Sequence, residues 1–174
     1  VYKEQVAEAG DSPAHVGRGV ASLLESTKVV DVFTKSWPHV VSPKTTLPEI
    51  VSTLGDGSRP VFAVLEGRTL VGVIPLSQVL DGIQLGKSHQ HVIASDIMIG
   101  SPRTVDEGSD LYSTLDAFLE EQAEALPVVT GDRTFVGMLS RSSIVEALQG
   151  QLAHRHSHLK TEHAGLAAIA HEGQ

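Results

Sequence analysis

The chain has no cysteine among its 174 residues. That removes disulfides and thiol catalysis and fits a reducing compartment. It is short of positive charge, with 13 Lys and Arg against 21 Asp and Glu, for a formal net charge of -8. A broad nucleic-acid surface needs clustered Lys and Arg, so that class of partner is excluded. No apolar run approaches the roughly 20 residues that span a bilayer, and Val1–Gln5 lacks the pattern of a signal peptide. The first residue is Val1 rather than methionine, and the sequence is read as a piece of a longer chain. Hydrophobic residues at 41% and charged residues at 20% are those of an ordinary globular chain, one domain or two small ones packed together.

What the sequence does have is a repeat. Arg133-Thr134-Phe135-Val136-Gly137-Met138-Leu139 answers Arg68-Thr69-Leu70-Val71-Gly72-Val73-Ile74, 65 residues earlier. Each copy follows an apolar run, Val61–Leu65 in the first and Leu126–Val129 in the second, and Val29–Phe33 answers Ala94–Met98. A duplication of this length is one supersecondary unit copied once. Alone, about 60 residues give only marginal stability, so the two copies are expected to share one core.

Along the chain, Val20, Leu23 and Leu24 form a helical stripe in a lead-in of residues 1–27 that packs on the module. Lys28–Phe33 carries alternating apolar residues and enters the first repeat, residues 28–85, and His39-Val40-Val41 is a short extended segment held away from helix by Pro38 and Pro43. Leu47, Ile50, Val51 and Leu54 share a helix face behind Thr46 as cap, with Pro48 in the first turn. Val61–Leu65 and Leu70–Ile74 are two continuous apolar runs joined by Glu66–Thr69, which predicts a hairpin covered on both faces. A helix over Ser77–Leu85 and a linker, 86–91, follow. The second repeat, 92–149, redraws this: entry at Val92–Met98, a helix bearing Leu111, Leu115 and Phe118 capped by Ser109 or Asp110, a hairpin, and a closing helix ended by Gly150. The tail, 150–174, is rich in histidine and alanine. The fold class is α+β, two β-α-β-β-α repeats.

These motifs resemble those of the cystathionine-β-synthase (CBS) domain pair. Phe62-Ala63-Val64 and Leu126-Pro127-Val128-Val129 match its "FPVV" strand, Leu70–Ile74 and Phe135–Leu139 its "LVGhh" strand, and Val29–Phe33 and Ser95–Met98 its "V-x-D-V-M" entry. The resemblance covers about residues 28–149 and implies a Bateman module, a tandem CBS pair with two sheets packed about a pseudo-twofold axis, often dimerised into a disc. A narrower likeness lies ahead of it. Tyr2–Val6 through Gly10–His15 is similar to the segment that joins the last membrane helix of CLC-type chloride channels and transporters to a cytoplasmic CBS pair. The implied function is a regulatory domain of a chloride channel or chloride/proton antiporter. It would lie on the cytoplasmic face of a membrane, with the transport domain of the same chain and a second copy as partners.

In that family the nucleotide motif is Gly-apolar-apolar-Ser/Thr-x-x-Asp, with the hydroxyl and the helix N-terminus facing phosphate and the carboxylate holding ribose. Here Ser140 keeps the hydroxyl but Ser143 stands where Asp is expected, and the first repeat has Pro75 and Gln78 at the two places. The expected site is Ser140, Arg141 and Ser143, with the base against His39–Val41 and near Gly57. Losing the charged acceptor removes about 1.5–3 kcal/mol, tenfold or more in affinity. ATP, ADP or AMP is therefore expected to bind weakly or not at all, and the bland reading makes Ser140 a helix cap.

Other signals carry less. His154, His156 and His158, with His163 and His171 beyond, form no fixed metal geometry, and His89 and His91 fall in a linker. Leu85-Gly86-Lys87-Ser88 lacks the first glycine of a phosphate loop, because Asp81 stands there. Asp106-Glu107 and Glu120-Glu121 read as solvated helix faces, and no nucleophile elbow is present. No enzyme and no metal site are expected. The rivals are a free-standing adenine-nucleotide sensor built on the same pair and a metal-responsive module using the tail.

Overall fold

The structure, a computed structural model, describes residues 13–55, 61–85 and 91–154. In chain order it runs α1 (Pro13–Ser26), a 3-10 turn (Val29–Asp31), β1 (Val40–Val41), α2 (Leu47–Ser52), β2 (Val61–Glu66), β3 (Thr69–Pro75) and α3 (Leu76–Leu85). Then come α4 (Ala94–Ile97), β4 (Ile99–Gly100), β5 (Val105–Asp106), α5 (Leu111–Glu121), β6 (Ala125–Val129) and β7 (Phe135–Ser140). A further helix, α6, is described over residues 141–154. One sheet has the order β1-β2-β3-β4 and the other β5-β6-β7. In each, a parallel strand pair is joined to an antiparallel hairpin.

The continuous apolar runs are explained by what lies on either side of them. Because side chains alternate along a strand, Phe62, Val64 and Ile74 enter one core with Leu47, Ile50 and Val79 of the helices. Val61, Ala63 and Val73 turn the other way, towards Ala125, Val129 and Met138 of the second sheet. The second hairpin does the same, sending Leu126, Val128 and Leu139 to a core with Leu111, Phe118 and Ile144. The expectation of one undivided core is thus corrected. Each sheet has its own helix-backed core, and a sheet-on-sheet seam joins them.

The seam shows the symmetry directly. Thr69 and Thr134 face each other in an antiparallel bridge. Around them Phe135 N–H donates to the Arg68 carbonyl at 2.9 Å and Leu70 N–H to the Arg133 carbonyl at 3.5 Å. Each bond joins positions that the repeat makes equivalent, so the pseudo-twofold axis passes between the two threonines.

The entry segments are exchanged. Lys28–Phe33, which enters the first repeat in sequence, is built around the 3-10 turn, with Val32 and Phe33 N–H both donating to Val29 O at 3.0 Å. Val29 and Phe33, four apart, then bury together with Leu24 of α1 in the second repeat's core. Thr34 pairs with Met138 through bonds of 2.8 and 3.1 Å. In return, β4 pairs with β3 of the first repeat, Gly72 opposite Gly100 and Val73 opposite Ile99, and Ala94, Ile97 and Met98 join that repeat's core. Each core is completed by chain from the other half.

Local chemistry places the helices. Thr46 and Glu49 make a reciprocal capping box at α2, and Asp110 accepts from Ser113 N–H at 2.9 Å to start α5. The expected stop of the last helix at Gly150 is corrected, since α6 continues to residue 154. A helical glycine is tolerated at about 1 kcal/mol, and Gln151 Nε2 donates to Thr27 Oγ1 at 2.8 Å, holding the extra turn against the end of α1.

Candidate ligand cleft

Of the residues singled out for nucleotide binding, Ser140, Arg141 and Ser143 lie where β7 becomes α6. Ser143 N–H donates to Ser140 Oγ and Ser140 N–H to Ser143 Oγ, both at 3.1 Å. Ser140 Oγ also lies 2.9 Å from Ser142 Oγ, and Ser143 Oγ donates to Ser140 O at 2.8 Å. The serines are engaged in capping α6. Arg141 reaches to the end of α5, its Nε donating to Ala123 O at 2.7 Å and its amide to Glu124 O at 3.1 Å, where a cation complements the helix dipole.

His39 and Val41 belong to the edge of the first sheet. The His39 carbonyl accepts from Ala63 N–H at 2.9 Å, and Val41 is opposite Val64. The His39 ring is half-buried, edge-on to Trp37 at 6.1 Å and Phe62 at 5.1 Å. Its Nδ1 is buried without a partner, and this burial lowers its pKa below the ordinary histidine value. No hydrogen bond or ring contact among the described residues links His39 or Val41 to the serines. Gly57 lies outside the described residues, as do His89 and the histidines beyond 154. Within the described residues, no group of three or more His, Asp or Glu could hold a metal ion.

A cleft among the described residues lies on the other side of the pseudo-twofold axis. A cleft of about 460 Å3 lies between the first repeat (Val61, Val73, Pro75, Leu76, Ser77, Leu80), the exchanged stretch Ile99, Pro102 and Arg103, and the second repeat from Glu121 to Pro127. Pro75 is the repeat mate of Ser140, and this is the cleft that the sequence reading passed over for want of a hydroxyl. The signal was available in the repeat itself, because two copies of a motif imply two clefts.

The cleft has an apolar body and an acidic rim. Leu80 and Ile99 are 47% and 44% exposed within it. Arg103, the one cation among its described lining residues, is paired with Glu120, and Glu121 lies on the rim. The backbone gives it acceptors. Met138 spends its N–H and C=O on Thr34, so its partner Pro127 is in a non-hydrogen-bonded pair, and so is the next such pair, Ala125 with Ser140. The Ala125 carbonyl therefore turns away from β7, towards the Arg103 side. Pro127 has no N–H to offer there, whereas its mate Ala63 donates to the His39 carbonyl.

Two sheets, each backed by helices, each closed by the other's entry segment and meeting across a twofold seam with clefts beside it, are the fold of a tandem CBS pair. Residues 94–150 match the family model described as "CBS domain". Among solved structures, the chain is similar to the CBS-pair protein CBSX2 from Arabidopsis thaliana at 26% identity and TM-score 0.66, over 73% of this chain and 97% of that one. CBSX2 is also solved in complex with AMP. The CBS domain of a bacterial CNNM/CorC family Mg2+ transporter in complex with ATP matches at 18% identity and TM-score 0.64, over 76% and 94% of the two chains. The CBS pair of protein MJ0100, in complex with 5′-methylthioadenosine and S-adenosyl-L-methionine, matches at 18% and TM-score 0.62, over 72% and 98%. No curated protein gives a significant match.

Proposed function

We propose that this chain is a regulatory CBS pair that senses an adenosine-type ligand of little or no negative charge in the cleft between Pro75, Ile99 and Ala125. The cleft itself is the observation that carries this. Its volume of about 460 Å3 suits a small ligand, its walls suit a planar base, and the Ala125 carbonyl is placed to accept from an exocyclic amine. The similar structures that hold AMP, ATP, methylthioadenosine and S-adenosylmethionine support the ligand class. The rim selects within that class, for Arg103 is already matched by Glu120 and a phosphate chain would meet Glu121. Each such like-charge approach costs about 1 kcal/mol at 4 Å even in bulk water and more beside a protein surface, which makes nucleotides the weaker ligands.

The cleft walls come from both repeats, so an occupant shifts the balance between arrangements of the two by its differential affinity for them. As output we propose a membrane transport body joined through residues 1–15, of the chloride channel or antiporter kind, on its cytoplasmic face. The stretch Tyr2–His15 supports this reading, and the coding sequence upstream of Val1 tests it: successive hydrophobic spans sustain it, and a start codon within a few residues sinks it. A second copy is proposed to cover the helix faces carrying Val51, Tyr112, Leu119 and Val145, which are 36% to 72% exposed. A strict monomer by light scattering at high concentration would overturn that.

Calorimetry with adenosine, 5′-methylthioadenosine, S-adenosylmethionine, AMP and ATP tests the ligand. The first three are expected to bind, with AMP about tenfold weaker than adenosine and ATP weaker again. Leu80→Trp, an exposed wall residue enlarged into the cleft, should reduce adenosine binding by more than about tenfold. Heat from none of the five, or ATP binding tightest, would overturn the proposal.

A further inference from the structure

The repeat gives the open cleft a mate position beside Ser140, and the loops that edge the two positions differ by one residue. Thr34 on Met138 and Ile99 on Val73 are equivalent at one end. At the other, Val40 is opposite Ala63, and Thr104 directly precedes Val105, which is opposite Val128. Five residues intervene in the first repeat and four in the second. Matched inward from both ends, Ser36 answers Ser101, Pro38 answers Pro102 and His39 answers Arg103. The residue left over is Trp37.

That extra residue is placed where a ligand would go. Ala63 N–H donates to His39 O, so this edge of β2 also turns the Val61 carbonyl outward, and Trp37 Nε1 donates to it at 2.8 Å. The indole packs on the cluster of Val61, Val73, Ala125 and Met138, with the His39 ring against its edge. Val61 stands opposite Pro75 and Ala125 opposite Ser140, so Val61 and Ala125 are mates. Their carbonyls are therefore equivalent acceptors, one taken by an aromatic N–H heterocycle and the other facing the open cleft.

We propose that Trp37 is a built-in occupant of the second cleft, a side chain set in the place that the open cleft reserves for the ligand's heterocycle. The module then takes one ligand per chain rather than two, and Ser140–Ser143 serve helix α6 rather than a phosphate. The stoichiometry rests on the ligand reading given above for the open cleft; the occupancy of the second cleft does not.

Trp37 is the sole tryptophan, so its fluorescence reports on this cleft alone. In the wild type without ligand, the emission should be blue-shifted and acrylamide quenching severalfold weaker than for N-acetyltryptophanamide; equal quenching overturns the proposal whether or not any variant folds. In Trp37→Gly, millimolar free indole should raise the Tm by clearly more than it does in wild type, whose open cleft is common to both. Adenosine calorimetry should give one site in wild type and in Trp37→Phe, and two in Trp37→Gly. Two sites in wild type refute the plug. One site in wild type and in Trp37→Gly, with no rescue by indole, refutes it while leaving the open cleft standing. No adenosine site in wild type, with indole rescue of Trp37→Gly, upholds the plug and refutes the reading of the open cleft.

Discussion

At the scale of single residues, the two glycines of the repeated strand show why the motif needs them. A Cβ on Gly72 would stand 2.6 Å from Met98 Sδ and 3.1 Å from the Ile99 carbonyl; one on Gly137 would meet the Thr34 carbonyl and, at 2.6 Å, the Phe33 ring. The glycines are equivalent, and each is crossed by the other repeat's entry segment. Met98 is flexible where the Thr34 backbone is not, so the two sites differ in tolerance. Gly72→Ala should destabilise by about 1–2 kcal/mol and Gly137→Ala by about 3 kcal/mol or more, read from urea midpoints at constant m. Equal effects would contradict the packing described. His39 gives a pH signature. Its unfolded imidazole titrates near 6.5 and burial lowers the folded value, so below 6.5 the unfolded chain binds more protons and stability falls as pH falls through that window. His39→Gln should flatten the drop in Tm between about pH 7 and pH 5. Carboxylates act lower: Asp132, held at about 2 by the Thr130 hydroxyl and by Thr134, loses its contribution as pH falls from 3.8 towards that value.

At the scale of elements, what could be read in the sequence was what local chemistry decides. Thr46 before Glu49, Pro48 in the first turn, Asp110 before Leu111, and Val-rich runs about a short turn each specify their element without reference to the rest of the chain. The entry segments failed that test. Val29, Val32 and Phe33 suit either an alternating strand or a tight helical turn, and the partner that decides, the core around Leu111 and Leu139, lies about 80–110 residues away in sequence. The candidate site was legible to the same extent: Ser140 as a helix cap follows from its own neighbours, whereas the filling of one cleft by Trp37 depends on a loop-length difference that has meaning only once the halves are superposed. The exchange makes a prediction. A fragment of residues 92–154 lacks Leu24, Val29 and Phe33 from its own core and should show no cooperative thermal transition by circular dichroism, while adding a synthetic peptide of residues 13–36 should restore one. A folded fragment without the peptide would refute the exchange.

On the scale of the whole molecule, the seam is thin. Its two clusters contain only small or slender buried side chains, Val61, Val73, Ala125 and Met138 in one and Ala63, Leu70 and Val129 in the other, and the hydrogen bonds about Thr69 and Thr134 fix its register. The proposed ligand, held by both walls, would act by changing how the two sheets meet across this joint. The helix α1 has a part in this. It packs against α5, in the half of the molecule encoded later, and Thr27, just past its end, is tied to Gln151 on the last helix. On the proposed function, a pull arriving at the front of the chain would be felt first by the distant half, and would reach the nearer half only across the seam.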